Sequence, residues 1–236
     1  MDASTPPSPT ALLAGKKALI VGVANAQSIA WGCAQAFRQC GAELAITYQN
    51  DKARPHVQPI AESLGAELFL PLDVTQAEQV DALFDAIGER WGQLDILVHS
   101  IAYAPKADLQ GGLLASSAEG FAMAMEISCH SFLRLAHRAV PLMRDGGTLL
   151  AMSYHGADKV VPNYNLMGPV KAALESSCRY LAYELGDRRI RVHAVSPGPM
   201  ATRAASGLKE FDVLLAHAVR DRSEEHTSEL QSRLHL

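Results

Sequence analysis

Short apolar segments alternate along the chain with longer amphipathic segments. Six of the apolar segments are predicted to be β-strands, at residues 17–23, 43–49, 67–73, 94–100, 147–154 and 190–198. They carry Val, Ile and Leu at successive positions rather than at every second one. This pattern is typical of parallel strands that are covered by helices on both faces.

Amphipathic helices are predicted between these strands. Residues 28–41 have apolar positions at helical spacing and end in a glycine. Residues 75–92 begin with Thr75, a candidate N-cap, followed three positions later by Glu78, and end at Gly92. Both segments have the length and the end signals of helices that connect parallel strands.

Strict alternation of strands and helices predicts right-handed βαβ units. The fold class is therefore α/β, a Rossmann-type doubly wound parallel sheet forming a single domain over residues 12–221. A ligand is expected where the strands end, at the carboxyl edge of the sheet. Residues 1–11, rich in Pro, Ser and Thr, are predicted to be a disordered tail.

Composition excludes several classes of protein. The 236 residues are 48% hydrophobic and 19% charged with a formal net charge of -4, so nothing favours nucleic-acid binding. No apolar run is long enough to span a membrane, and no secretory signal is predicted. The four cysteines have neither CxxC nor metal-ligand spacing, which favours reduced thiols in a cytoplasmic protein and predicts no metal site.

The first strand leads into a turn that suits a dinucleotide. The usual GxGxxG is absent, but Gly22 can form the tight turn and Ser28 can cap the next helix and contact phosphate. Three more strand ends converge on the same edge: Asp73-Val74, whose acid can bind adenine, "HSIAYAP" (99–105) and "SPGPMATRAASG" (196–207). Four such loops predict a nicotinamide dinucleotide site.

The choice of cofactor is expected to depend on the end of the second strand. An acid there binds the ribose of NADH, and a base binds the 2′-phosphate of NADPH. This chain has neutral Gln49, with Lys52 and Arg54 close by. NADH is favoured, and NADPH stays open as the second choice.

Together these motifs resemble the NADH-dependent bacterial enoyl-[acyl-carrier-protein] reductases, a divergent branch of the short-chain dehydrogenase/reductases. The resemblance spans about residues 12–220 and includes "TYQND", "NYN" followed by "MG", and the set Tyr154, Tyr164 and Lys171. Tyr164 lies seven positions before Lys171, whereas most short-chain dehydrogenases space their tyrosine and lysine by four.

The resemblance implies roles for particular residues. Tyr154, Tyr164 and Lys171 are the implied catalytic residues, and Ala104 and Tyr154 the implied substrate contacts. The implied cofactor-binding positions are Gly22, Ser28, Ile29, Gln49, Asp73, Val74, Ser100, Ile101, Lys171, Met200, Ala201, Thr202, Arg203 and Ala204. The implied partners are acyl carrier protein bearing an enoyl thioester and three further copies in a homotetramer.

The implied reaction explains the wide spacing. Hydride addition to a trans-2-enoyl thioester puts negative charge on the thioester oxygen, which needs a hydrogen-bond donor. Tyr164 would donate that bond, and Lys171 would hold the ribose hydroxyls and lower the pKa of the phenol. Pro169 predicts that the regular helix begins close to Gly168, because proline is tolerated only in a first turn.

Residues 222–236 differ in character from the rest. Residues 222–232 match one translated frame of a common DNA sequencing adapter, so 222–236 are interpreted as a non-native tail. The family's last strand is then expected to be missing, which would expose a sheet edge and make the tetramer doubtful for this chain. Two alternatives stay open: a short-chain dehydrogenase acting on a carbonyl or alcohol, and an inactive nucleotide-binding fragment.

Overall fold

The computed structural model describes residues 12–198. The predicted tails 1–11 and 222–236 and the predicted cofactor segment 200–204 lie outside the described residues. Within the described part, strands and helices alternate as the hydrophobic pattern predicts.

All six predicted strands are confirmed. They are β1 (Lys17–Val21), β2 (Glu43–Tyr48), β3 (Leu68–Pro71), β4 (Ile96–His99), β5 (Gly147–Met152) and β6 (Ile190–Val195). The sheet has the order β3-β2-β1-β4-β5-β6, and every neighbouring pair is parallel. The doubly wound Rossmann-type fold is therefore confirmed, with the strand order reversing between β1 and β4.

Seven α-helices connect and follow these strands in the described residues. They are α1 (Ile29–Gln39), α2 (Arg54–Ser63), α3 (Ala77–Trp91), α4 (Lys106–Gln110), α5 (Ala118–Met125), α6 (Ser131–Ala139) and α7 (Met167–Leu185). A π-helical turn, Glu126–His130, joins α5 to α6. Short 3₁₀ turns lie at Leu113–Ala115, Val140–Leu142, His155–Ala157 and Gly186–Arg188.

Helix α7 begins where its proline allows. Its first residue is Met167, so Pro169 is the third residue and lies in the first turn. Backbone N–H groups of a first turn have no acceptor inside the helix. The absence of an N–H in proline therefore removes no helical hydrogen bond there. The predicted start close to Gly168 is confirmed.

The end signals of α1 and α3 have mixed outcomes. Ser28 caps α1 with its side chain, and Gly92 ends α3 in a left-handed conformation at φ 66°, both as predicted. The predicted Thr75 cap is wrong, because the N-cap residue of α3 is Gln76. Thr75 instead donates its hydroxyl to Asp73 Oδ1 at 2.7 Å. The side chain of Thr75 therefore forms a local turn with Asp73 in place of the predicted N-cap bond.

The two faces of the sheet support separate apolar cores. Alternate strand residues face opposite sides, so Leu19 packs with Phe132 of α6 and Leu174 of α7, whereas Ile20 packs on the side of α1 and α2 with Val57. All five side chains are fully buried. Because helices cover both faces, the site must lie at an edge of the sheet, where the strands end.

A close backbone approach joins β1 and β4 at that edge. Gly22 has φ +103°, and a Cβ there would lie 2.1 Å from the carbonyl oxygen of Ser100. Ser100 N–H in turn donates to Val21 O at 2.9 Å. Only glycine combines this φ with this contact.

Replacing Gly22 by Ala is expected to lower the free energy of unfolding by more than about 2 kcal/mol, because it adds both backbone strain and a clash. Gly32→Ala is the matched control, since a Cβ at Gly32, inside α1, meets no atom within 4 Å. That control should be neutral or stabilising by about 0.5–1 kcal/mol. Urea unfolding measures both, and equal stabilities of the two variants would contradict the predicted clash.

Candidate active site

The carboxyl ends of β1 to β5 bring the predicted site residues to one edge of the sheet. Gly22, Gln49 and Asp73 follow β1, β2 and β3, and Ser100 follows β4. The reversal of strand order between β1 and β4 opens a crevice there, which is where open α/β sheets bind ligands. Three of the four loops predicted to converge, those after β1, β3 and β4, lie at this edge, whereas most of the fourth, 196–207, lies outside the described residues.

The turn after β1 has the features of an anion site. Ser28 Oγ accepts a hydrogen bond from Trp31 N at 3.3 Å and donates to Asn25 O at 2.7 Å, which fixes the start of α1. Ile29 packs into the core on the α1 side. The first amides of a helix lack partners within it, and its dipole favours negative charge. The missing Cβ at Gly22 lets the turn approach the Ser100 carbonyl, so the glycine shapes this end of the site through the contact between β1 and β4.

The end of β2 presents a neutral side chain. Gln49 is exposed, and Asn50 Oδ1 accepts from Lys52 N at 3.1 Å, which closes the following turn. The guanidinium of Arg54 lies 5.7 Å from the centroid of the Tyr48 ring. This cation–π contact holds Arg54, the first residue of α2, against Tyr48, the last residue of β2.

The end of β3 is held from two sides. Asp73 Oδ1 accepts from Thr75 N at 2.9 Å, and Val74 is buried. Arg134 of α6 donates to Val74 O and also pairs with Glu126 of the π-helical turn. The loop proposed for adenine therefore has a fixed backbone.

The loop after β4, residues 100–105, carries apolar groups into the site. Ile101 and Ala104 are partly buried and pack against the core formed with α3, α6 and α7. Tyr103 has a half-exposed side chain, but both its backbone groups bond to Ser128 of the π-helical turn. Ser128 is a residue that the sequence patterns did not single out.

The structure brings the two predicted tyrosines together. Tyr154 and Tyr164 have ring centroids 4.8 Å apart at an interplanar angle of 61°, an edge-to-face contact. Lys171 is almost fully buried in α7, and its Nζ donates to Met152 O at 2.6 Å. Since Met152 ends β5 and Tyr154 follows two residues later, the lysine is anchored at the same strand end as the tyrosines.

The backbone around Tyr164 explains its motif. Asn163 and Asn165 have left-handed φ values of 64° and 44°, a conformation that asparagine tolerates better than most residues. Asn165 Nδ2 also donates to Leu109 O at 2.8 Å. A Cβ on Gly156 would lie 2.3 Å from Tyr164 Cδ1, so the ring packs directly on that glycine. The sequence motif therefore has a conformational cause.

The electrostatics of the site differ from the expectation. Burial raises the pKa of Tyr164, and Tyr154 and Glu175 raise it further, so the predicted lowering by Lys171 is wrong. Burial also lowers the pKa of Lys171 to about 8, although nearby thiols and Glu175 offset part of that shift. The physical reason is that burial penalises the charged form of each group and is the largest cause of both pKa shifts.

Residues 12–198 hold neither a candidate metal site nor a candidate membrane span. No group of three or more His, Cys, Asp or Glu side chains is placed to hold a metal ion there. No helix in that part of the chain is long and apolar enough to cross a membrane. The predicted cofactor residues Met200, Ala201, Thr202, Arg203 and Ala204 lie outside the described residues.

The strand order, the anion-binding first turn and the Tyr-Lys constellation define a nicotinamide-dinucleotide oxidoreductase of the short-chain type. The family model described as enoyl-(acyl carrier protein) reductase matches residues 22–227. The chain belongs to that family.

Individual relatives agree with this assignment. The chain is 49% identical over 204 residues to enoyl-[acyl-carrier-protein] reductase [NADH] 1 of Rhizobium meliloti, covering 86% of this chain and 75% of the relative. A structure of the Anaplasma phagocytophilum reductase in complex with NAD is 49% identical, with a TM-score of 0.83 over 87% of this chain and 78% of that one. The Bacillus cereus reductase, solved with NADP⁺ and an indole naphthyridinone, is 40% identical, with a TM-score of 0.85 over 88% and 81%.

The buried lysine predicts a pH dependence. The pKa of Lys171 is about 8 in the folded protein, below its ordinary value of 10.5. Between these two pH values the unfolded chain binds a proton that the folded chain does not, so the free energy of unfolding rises with pH. We expect the wild type to gain stability relative to Lys171→Met as the pH is raised from 7 to 10.

Urea unfolding at several pH values measures this difference. Comparing the two proteins cancels the titration of groups elsewhere in the chain. A stability difference that stays flat from pH 7 to 10 would show that the folded lysine keeps its ordinary pKa.

Proposed function

We propose that this chain uses NADH to reduce the trans-2 double bond of enoyl thioesters carried by acyl carrier protein, in fatty-acid synthesis. The observation that carries the proposal is the Tyr154–Tyr164 edge contact at the end of β5, next to the strand end that anchors Lys171. Family membership supports the same reaction.

NADH fits the described edge of the sheet. The turn from Gly22 to Ser28 and the first amides of α1 would hold the pyrophosphate, and Ile29 would pack beside it. Asp73 and Val74 would contact the adenine. Neutral Gln49 offers no positive charge to a 2′-phosphate, which favours NADH over NADPH.

The nicotinamide half would meet the loop after β4 and helix α7. Ser100 and Ile101 would line the cofactor, and Lys171 would bind the ribose hydroxyls. The segment Met200–Ala204 is proposed to complete this side. When bound, NADH supplies the hydride that reduces the β-carbon of the enoyl thioester.

Tyr164 is proposed to stabilise the charge that forms on the thioester oxygen. Its raised pKa keeps the phenol protonated at neutral pH, which is the form that donates a hydrogen bond. Tyr154 orients the ring of Tyr164 through the edge-to-face contact. Tyr154 and Ala104 would face the substrate. Addition of the hydride to the β-carbon would then be balanced by a proton from water at the α-carbon.

The alternative reaction on a carbonyl or alcohol lacks its usual acid. Dehydrogenases of that kind place a tyrosine four residues before the lysine, and this chain has Met167 there. Met167 is buried in the first turn of α7 and carries no ionisable group. The geometry of α7 therefore favours the enoyl reductase.

Kinetics with a trans-2-enoyl thioester and NADH test the proposal. Tyr164→Phe is expected to lower kcat by about 10²–10³, because it removes one hydrogen-bond donor to the developing charge. Tyr48→Phe is the control, since Tyr48 is a buried tyrosine that stacks on Phe69 at a different strand end. Unchanged kcat in Tyr164→Phe, or turnover of a ketone in place of the enoyl thioester, would overturn the assignment.

We also propose that α5 and α7 present a subunit interface, through which the homotetramer implied by the resemblance would form. Helices α5 and α7 pack against each other and expose large apolar side chains: Phe121 at 38%, Met123 at 44%, Tyr180 at 70% and Tyr183 at 89% exposure. Tyr180 and Tyr183 are three residues apart and share one helix face. An exposed apolar face of this kind is typical of a subunit interface.

Replacing both Tyr180 and Tyr183 by Glu is expected to reduce the mass in solution from tetramer to dimer or monomer, because charges would be buried in the interface. Light scattering after size-exclusion chromatography measures the mass. Val160→Glu is the control, since Val160 is 99% exposed outside these helices. A monomeric wild type, or a double variant that stays tetrameric, would refute this interface.

The cytoplasm is the proposed location. All four cysteines lie in the described part of the chain and are free thiols, two of them buried. Free thiols are usual in a reducing compartment. The proposed substrate, an acyl carrier protein thioester, would be met there.

A further inference from the structure

A π-helical turn interrupts the helical segment that packs behind the site. Residues Glu126–His130 form this turn between α5 and α6. Single π turns inside α-helices are rare and frequently lie at functional sites, because they displace side chains from their regular helical positions.

Ser128 makes the contact that reaches the site. It is fully buried, its Oγ accepts from Tyr103 N at 2.8 Å, and it donates to Tyr103 O at 2.9 Å. Tyr103 lies in the loop 100–105, which belongs to neither helix nor strand. Backbone groups in such a loop need partners outside it, and one hydroxyl supplies both for Tyr103.

The turn is itself tied to the strand that leads into this loop. Ser131 Oγ donates to Ile127 O at 2.7 Å, and His99 Nε2 lies 2.7 Å from the same hydroxyl. Since the hydroxyl proton is used for Ile127, His99 must donate through Nε2. His99 is the last residue of β4 and is fully buried, so the turn and the loop share one rigid support.

We propose that Ser128 is a positioning residue for the reaction. It holds the loop 100–105 at a fixed distance from α7, so that Ile101 faces the cofactor and Ala104 the acyl substrate. The assignment of those two faces rests on the proposed function. The hydrogen bonds from Ser128 to the loop do not depend on the proposed function. The positioning of the loop and the reaction can therefore be tested separately.

Ser128→Ala removes both hydrogen bonds and leaves two backbone groups without partners. Ser177→Ala is the matched control: it deletes the same atom from α7, where the hydroxyl donates to Ala173 O and lies 3.8 Å from Cys129 Sγ of the π-helical turn. It therefore removes a hydroxyl beside the same turn without touching the bonds to Tyr103. Ser128→Cys is the second variant, because it fills the space of the hydroxyl while weakening both bonds, should the alanine variant fail to fold.

Amide hydrogen exchange over residues 99–105 is the first measurement. Each variant is the full chain, without ligand. Exchange of the Tyr103 amide is expected to be at least about tenfold faster in Ser128→Ala than in Ser177→Ala, with Ser128→Cys in between. Equal exchange in all four proteins, wild type included, would overturn the positioning role whether or not the chain reduces enoyl thioesters.

Steady-state kinetics is the second measurement. Ser128→Ala is expected to raise the KM for a trans-2-enoyl thioester about tenfold, with a smaller change in the Kd of NADH, because Gly22, Ser28 and Lys171 hold the cofactor independently. A merely structural serine would lower the melting temperature and leave this KM equal to that of Ser177→Ala. That result would refute the proposal, whereas an inactive wild type with normal exchange differences would refute only the proposed reaction.

Discussion

The close contact between β1 and β4 is the constraint on which the site depends. Gly22 approaches the carbonyl of Ser100 so closely that no residue with a Cβ atom fits there. This contact lies where the strand order reverses, so it determines the separation of the first turn from the loop after β4. The crevice for a dinucleotide exists because these two strand ends are held together without a side chain between them.

Burial is the second constraint on the site, because it shifts the pKa of buried groups as well as packing their side chains. Lys171 and Tyr164 are both largely removed from water, which pushes each towards its neutral form. For Tyr164 the neutral form is the useful one, since only a protonated phenol donates a hydrogen bond. For Lys171 the same desolvation works against its charge, and the carbonyl of Met152 gives the ammonium group a partner.

Positioning residues on the helices behind the site link these features. Arg134 and Glu126 hold the loop after β3, and Ser128 holds the loop after β4. Two of these three residues belong to the π-helical turn. One local irregularity in a helix therefore supports two loops, through the carbonyl of Val74 and through both backbone groups of Tyr103. The side chain of Asp73 adds bonds within the first of these loops.

The sequence by itself determined the architecture, because long-range order follows from a local signal. Buried parallel strands need continuous apolar segments, and all six were readable as such. The start of α7 was readable from a different local rule, the tolerance of proline in a first turn. Only the tertiary structure decided the pKa of Tyr164 and the role of Ser128. Ser128 meets Tyr103 across 25 residues and His99 meets Ser131 across 32, contacts that no periodicity encodes. Thr75 does not cap α3 because its hydroxyl bonds to Asp73 instead. Which of the two bonds forms depends on atomic distances that exist only in the folded chain.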